Sequence, residues 1–209
     1  GASLSIGMIE GSGIRCAYHC WKYDNTGQCV DQPAEPEKSP LKAQIRTTAY
    51  PVQELGGLVW AYLGKASAPL LPRFDFLARE DCDRDIGVSR LPCNWLQVAE
   101  NNMDPVHVEY LHMRYTNYIH RRKGLPLVTP RKHKKLDYEV FDYGIIKKRL
   151  WEGDNEDSEE WTVGHPILFP GTAVVPYHDK GWVQAPIRVP VDDTPTIIYW
   201  DNARRRQPC

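Results

Sequence analysis

Long apolar runs are missing from this chain. No uninterrupted stretch reaches the ~18 residues that a membrane helix needs, and no charged-then-apolar segment opens the sequence. The expectation is a soluble, cytoplasmic protein without a membrane partner. An excess of charge of one sign is missing too. With 26 Lys and Arg against 27 Asp and Glu the net charge is -1, which removes the global electrostatic case for a nucleic-acid partner. Cysteine is sparse. Six thiols (Cys16, Cys20, Cys29, Cys82, Cys93, Cys209) in 209 residues fall far below the density of a disulfide-stapled secreted domain, and the default role of each is a small buried apolar side chain. There is neither an internal repeat nor a low-complexity tract. What remains, 42% hydrophobic and 25% charged with 17 prolines and 15 glycines, suits one large globular domain or two small ones. Because the chain opens Gly1-Ala2-Ser3 rather than with Met, its length is read as a window on a longer protein.

Two textures succeed one another. Residues 1–64 alternate short β-rich runs, Gly13-Ile14-Arg15-Cys16-Ala17-Tyr18 and Gly57-Leu58-Val59-Trp60-Ala61-Tyr62-Leu63, with turn signals. Asp24-Asn25-Thr26-Gly27 has a hairpin-turn composition, and residues 32–40, carrying Pro33, Pro36 and Pro40, are too proline-rich for a helix. This is a small all-β unit. Residues 65–90 are assigned as a connector and residues 91–209 as a second domain. Residues 94–115 are mostly strong helix formers, interrupted by Asp104-Pro105. Asp as N-cap with Pro at the first helical position predicts that a second helix starts there. After Gly124 the β texture returns. Residues 136–151 and 161–169 flank an acidic run, residues 152–160, expected as a solvated hairpin loop, and residues 174–177, 181–189 and 196–200 are further strands. The fold class is α+β.

Cys16-Ala17-Tyr18-His19-Cys20-Trp21-Lys22-Tyr23 places a thiol and an imidazole three residues apart at the end of a strand-like run. Soft sulfur and borderline nitrogen on a tight turn suit zinc or an iron–sulfur centre, although C-x-x-H alone is a weak signal. The segment resembles the second half of a Rieske [2Fe-2S] motif, in which a C-x-H pair is followed after about sixteen residues by C-x-x-H and the two histidines sit on one iron. By that resemblance Cys16 and His19 each ligate a different iron. The family spacing puts the first C-x-H just before Gly1, and Gly1-Ala2-Ser3-Leu4-Ser5 resembles the residues that succeed this pair in the family, so the resemblance implies an amino-terminally truncated Rieske domain with two of the four ligands. Cys20 departs from the family, where a glycine usually follows the histidine; a side chain there is expected to alter the cluster pocket or to add a reactive thiol.

A second constellation lies in the helical stretch. Asp104 and His107 share a helix face by their i, i+3 spacing, whereas His107 and His112, five apart, point about 140° away from each other on a regular helix. For both to reach one ion the helix must widen, as a π-bulge does, or end between them. The pattern N-x-x-D-x-x-H-x-x-x-x-H, running Asn101, Asp104, His107, His112, is similar to the mononuclear iron motif of Rieske-type ring-hydroxylating oxygenase α subunits. The resemblance implies that His107 and His112 bind Fe(II), that the carboxylate ligand lies downstream of Cys209, and that the catalytic domain is carboxy-terminally truncated. It gives Asp104 another role, accepting from a ligating imidazole and bridging, in a head-to-tail homotrimer, to a Rieske histidine of the neighbouring subunit.

Residues 121–135 carry seven Lys or Arg among fifteen; the plain expectation is a solvated loop, and the sharper one a docking patch for an acidic electron donor or a positive rim for carboxylated substrates. His120, His133, His165 and His178 lack ligand-like spacing and are assigned structural roles, and Trp60, Trp95 and Trp182 are assigned to the core. Residues 184–194 also resemble the phthalate-dioxygenase-like branch. The whole resemblance implies a Rieske domain followed by a helix-grip catalytic domain, an antiparallel sheet curved around a long helix. The implied activity is reductive activation of O2 at Fe(II), with NAD(P)H electrons arriving through a reductase or ferredoxin, acting on an aromatic and possibly carboxylated substrate. Dioxygenation is favoured over monooxygenation or O-demethylation. The alternative from another class is a non-redox helix-grip binding module or an inactive fragment.

Overall fold

Turn chemistry organises the first of the two units, Gly1–Arg73 and Phe74–Cys209, into which the chain divides. The structure is a computed structural model and describes residues 2–65, 67–177 and 181–206. Strands β1 (Met8–Glu10), β2 (Gly13–Arg15), β3 (Lys22–Asp24) and β4 (Cys29–Asp31) form an antiparallel meander in chain order. The expected turn joins β3 to β4. The Asp24 carboxylate accepts from the Thr26 hydroxyl at 2.7 Å and from the amides of Thr26 and Gln28 at 2.9 and 3.0 Å, an Asx-turn that also holds this carboxyl below its usual range. Gly27 is obligatory there, since φ is +82° and a Cβ would sit 2.1 Å from the Thr47 carbonyl oxygen. A short helix, α1 (Leu41–Gln44), precedes the hairpin of β5 (Val52–Leu55) and β6 (Leu58–Ala61), whose two-residue turn Gly56-Gly57 has both φ values positive.

The turn after β2 is clamped by Arg15. Its guanidinium donates to the Cys20 carbonyl at 2.6 Å, to Asp31 at 2.8 Å and to Glu10 at 3.0 Å, tying the turn to both ends of the meander. Cys20 itself has φ +60°, a left-handed conformation that no other described non-glycine residue adopts.

The second unit is built on one antiparallel sheet. Helix α2 (Asp75–Ala78) leads into β7 (Cys82–Leu91), which pairs along its whole length with β14 (Thr196–Arg205). The assigned connector therefore ends early: residues 82–90 belong to the sheet. Their charges hid this, because Asp83 and Asp85 point to solvent while Arg84 turns inward to the buried Asp201 at 2.5 Å and to the Phe76 carbonyl at 2.7 Å. From β7 the order continues through β14, β13 (Trp182–Pro190), β11 (Thr172–Ala173), β10 (His165–Leu168), β9 (Gly144–Trp151) and β8 (His133–Phe141), and β12 (Val175–Tyr177) also pairs with β13. Helix α3 (Trp95–Met103) lies against β13 and β11. Leu150, Ile198, Ala185, Ala173 and Ile167 are buried in this unit.

Two expectations are corrected by the sheet. Residues 136–151 are two strands, turned at Asp142-Tyr143, where Phe141 pairs with Gly144. Neither residue of this turn is a glycine or proline, so the composition did not announce it. The acidic run does connect β9 to β10, but it is not a free loop: α6 (Glu159–Thr162) forms within it, so Trp161 is helical rather than in a strand. Its carboxylates face the basic run. Arg131 pairs with Asp154 at 2.5 Å, Lys132 with Glu152 at 3.2 Å, and Lys135 with Glu156, so the two charged runs form a ladder at the open end of the β8–β9 hairpin. Each exposed rung contributes roughly 0–1 kcal/mol.

Two substitutions probe this packing. Truncating the fully buried Leu150 to Ala (0% exposed) is expected to cost about 2–5 kcal/mol in urea unfolding. Cys20→Gly is expected to stabilise by roughly 0.5–1 kcal/mol, a left-handed penalty of about 1–2 kcal/mol less the entropy glycine adds to the unfolded chain; an unchanged unfolding midpoint would show that the surroundings bear no strain at this residue.

Candidate metal centres and substrate cavity

Asp104 both ends α3 and starts the next helix. Helix α3 is N-capped by Asn94, whose side chain accepts from the Leu96 amide at 2.9 Å. Its far end is docked onto the sheet, where the carbonyls of Asn102 and Met103 accept from Lys147 Nζ at 2.5 Å and Tyr138 Oη at 2.9 Å. Asp104 then leaves helical geometry (ψ 118°), and its carboxylate accepts from the amides of Val106 at 2.9 Å and His107 at 3.0 Å. This is the expected cap, with Pro105 in the first turn. Helix α4 (Val106–Glu109) comes next and opens directly into a π-helical turn, Tyr110–Tyr115, in which the Thr116 amide donates to the Leu111 carbonyl five residues back. Helix α5 (Thr116–Lys123) continues to Gly124, which closes it at φ +65°. The wide turn is held from outside: Glu109, 6% exposed, accepts from the backbone amide and ring Nδ1 of His133 on β8, at 3.2 and 3.3 Å.

The widening resolves the spacing problem. The rings of His107 and His112 lie 5.1 Å apart, centre to centre, at 66°, where a regular helix would have turned them apart. A ring nitrogen lies about 2 Å from a bound first-row cation, so rings this close can share one ion. His107 Nδ1 is 3.1 Å from Asp104 Oδ2; with a carboxylate as acceptor that nitrogen carries the proton, leaving Nε2 as the basic one. Burial disfavours charge on Asp104, but the amides of Val106 and His107 and the His107 ring outweigh it and hold the carboxyl below its usual range. Burial, with the neighbouring His107, pushes His112 down, favouring the neutral imidazole that ligates. Among the described residues no group of three or more His, Cys, Asp and Glu side chains gathers to hold a metal. The donor set is two imidazoles, with Asp104 turned onto a ring rather than toward a shared ion, and it fits an iron that draws further ligands from elsewhere.

Cys16 and His19 line a second cavity, of about 720 Å³, with Leu4, Tyr18, Trp21 and Arg46 among its walls. The turn is tight: the Cys20 amide donates to the Cys16 carbonyl at 3.1 Å and the Cys16 amide to the Trp21 carbonyl at 2.8 Å. The Tyr18 amide lies 3.5 Å from Cys16 Sγ, a donor aimed at the sulfur of the kind that stabilises a thiolate ligand. One thiolate and one imidazole on a rigid turn fit two positions of a mixed Cys/His cluster.

The cavity beside His107 and His112 measures about 710 Å³, the size of a small-molecule site. Val108, Val175 and Trp200 give it apolar walls; Asn102, Lys147, Arg149, Glu160, His165 and Gln184 give it polar ones. Strand register explains the grouping, since His165 pairs with Lys147, Gln184 with Asn202, and Pro186 with Trp200, which brings alternate residues of four strands to one face. His165 therefore has a wall position that its isolation in the sequence hid. Lys147 and Arg149 were hidden too, because Lys147-Lys148-Arg149 reads as surface charge, yet the outer two are 6% and 7% exposed. Of the other histidines, His120 contacts the Pro126 carbonyl, His133 stacks on Trp151 at 4.0 Å, and His178 lies outside the described residues.

Comparison with known proteins agrees with this geometry. Residues 1–51 match the Rieske [2Fe-2S] domain. The chain is 40% identical over 203 residues to the 5,5'-dehydrodivanillate O-demethylase oxygenase subunit of Sphingobium sp. (strain NBRC 103272 / SYK-6), covering 95% of this chain and 46% of that protein. It is 33% identical over 215 residues to the phthalate 4,5-dioxygenase oxygenase subunit of Pseudomonas putida, covering 96% and 48%. The terminal oxygenase of carbazole 1,9a-dioxygenase from Nocardioides aromaticivorans IC177 shares the fold, with a TM-score of 0.70 at 20% identity over 98% of this chain and 62% of that one. The chain spans about half the length of the curated relatives it matches. Its Rieske match, the histidine pair on the widened helix and these relatives together make the chain similar to the oxygenase α subunits of Rieske non-heme iron systems, with phthalate-dioxygenase-like proteins among its relatives.

Proposed function

We propose that this chain serves in the oxygenase component of a Rieske system that activates O2 at Fe(II) to hydroxylate or O-demethylate an aromatic substrate. The observation that carries the reading is the His107–His112 pair, brought to 5.1 Å by the π turn with Asp104 fixing one ring. When bound, the [2Fe-2S] cluster supplies electrons one at a time and the Fe(II) supplies open positions for dioxygen. Cys16 and His19 are assigned as two of the cluster's ligands, and His107 and His112 as the imidazole ligands of the mononuclear iron. Asp104 is assigned as the residue that keeps the Nδ1 proton on His107 and bridges, in a homotrimer, to His19 of the partner subunit. The electron source is an NAD(P)H-dependent reductase or a ferredoxin. The Rieske domain is assigned to residues 1–64 and the catalytic domain to residues 91–209, with the strand of residues 82–91 added to its sheet.

The chain's own residues prepare the cavity. Val108, Val175 and Trp200 offer apolar surface to a ring, and the cavity they line is walled by the sheet. Names among the relatives support both outcomes, O-demethylation and ring dioxygenation; we place dioxygenation first, and a carboxylated ring as the substrate, on the phthalate-dioxygenase likeness.

Metal analysis of the chain extended to the length of its relatives tests this. About three irons per chain are expected, two in the cluster and one mononuclear. His112→Ala is expected to lower the count to about two, keep the Rieske absorbance and abolish product formation; retention of the third iron would remove His112 from the metal site, and an iron-free wild-type protein that still binds aromatics would point to a binding module instead. Asp104→Asn keeps the cap but removes the anionic acceptor, and is expected to weaken mononuclear iron binding or turnover by roughly 10- to 100-fold while the reductase still reduces the cluster. Unchanged iron affinity and turnover would remove Asp104 from the mechanism.

A further inference from the structure

The buried cations of the second unit are answered unequally. Arg84 has Asp201 at 2.5 Å, and Arg149 has Glu160 at 2.9 Å. Lys147 is as deeply buried, 6% exposed, and no described carboxylate lies within the 4.0 Å of an ion pair. Its one hydrogen bond among the described residues runs to the Asn102 carbonyl at 2.5 Å. An ammonium carries three N–H donors, so two remain without an acceptor among the described residues. Beside it the Asn102 side chain presents Nδ2, also buried and also without a partner. Both residues line the cavity that holds His107 and His112. Donors outnumber acceptors around this ammonium, and a desolvated cation whose counter-charges, Asp104 and Glu160, act only from beyond ion-pair distance is costly to the fold.

Resting on the reading of this cavity as the aromatic-substrate site, we infer that Lys147, assisted by Asn102 Nδ2, is a specificity residue that takes an anionic oxygen carried by the substrate ring, as a carboxylate or a phenolate. Such an oxygen supplies the acceptors the wall lacks and anchors the ring beside the histidine pair. A neutral ring leaves the donors unsatisfied, so the site discriminates by charge as well as by shape. Burial lowers the Lys147 ammonium to about 8, which leaves it mostly protonated at neutral pH and able to play this part.

The experiment is calorimetric binding at pH 7.5 to the extended, metal-loaded chain. Two pairs of probes are used: benzoate against methyl benzoate, and 4-nitrophenolate against 4-nitroanisole. The wild-type chain is expected to bind at least one anion roughly tenfold or more tightly than its neutral partner, and the pair that shows the preference identifies carboxylate or phenolate as the source. Lys147→Met is expected to weaken that anion roughly 10- to 100-fold and to leave the neutral partner within about twofold. Its Tm is expected to change little, because removal of a desolvated charge offsets loss of the bond to the Asn102 carbonyl. Lys147→Gln, neutral but still able to donate to the Asn102 carbonyl, is expected to lose the preference in the same way, which separates charge recognition from helix docking. A wild-type chain with no charge preference, or a Lys147→Met or Lys147→Gln chain that keeps it, overturns the inference. Binding needs no turnover, so a chain without mononuclear iron would overturn the catalytic reading while the charge preference is still decided by these affinities.

Discussion

The Asp104 carboxylate holds three groups at once: the amide of Val106, the amide of His107 and the ring nitrogen of His107. Two of these bonds are a helix cap and the third fixes a tautomer. Because the same oxygen atoms do both, the place where α3 stops and the orientation of the first imidazole are one event. The π turn then brings the second imidazole to the same side, and Glu109, the residue just before that turn, is pinned to His133 on the sheet. The sheet contributes by docking the end of α3 through Lys147 and Tyr138, so that the cap is presented at a set height above the cavity. Packing, capping and site geometry are thus coupled, and strain introduced at any of them reaches the histidine pair.

The division between local and distant information decides what could be read beforehand. Asp104-Pro105 announces its own break, and Asp24-Asn25-Thr26-Gly27 its own turn, because a cap and an Asx-turn are completed within four residues. The pairing of His107 with His112 was legible as a conditional: the spacing demanded a widened helix, and the helix is widened. Other features depend on partners far along the chain. Residues 82–90 look like a connector until β14, more than a hundred residues later, supplies the edge on which they pair. The basic and acidic runs each looked like solvated loops, and only the β8–β9 register sets Arg131, Lys132 and Lys135 against Asp154, Glu152 and Glu156. Lys147 and Arg149 were hardest, since a strand alternates its faces without saying which one the sheet will cover.

The two candidate metal centres contrast in how they are held. The turn of Cys16 and His19 is short, fixed by backbone bonds and by the Arg15 clamp, and it includes a non-glycine residue in a left-handed conformation. Such a turn suits ligands that keep their positions while electrons pass, since little then has to reorganise. The site of His107 and His112 is carried on helices, backed by buried side chains and open to a cavity, which suits a centre that must admit a substrate.

Trp200 forms part of the cavity wall and donates its indole N–H to Ser89 at 3.0 Å, while Trp151 donates to Glu160, the same carboxylate that pairs with the cavity residue Arg149. Guanidinium groups of Arg131 and Arg149 flank the Trp151 ring at 4.9 and 5.2 Å. The protein therefore carries its own optical gauge of the cavity. One indole would be touched directly by an incoming ring, and a second would feel, through Glu160, any redistribution of charge around Arg149. These two indoles stand among seven tryptophans, so the response of each is read as the difference from the Trp→Phe chain that lacks it.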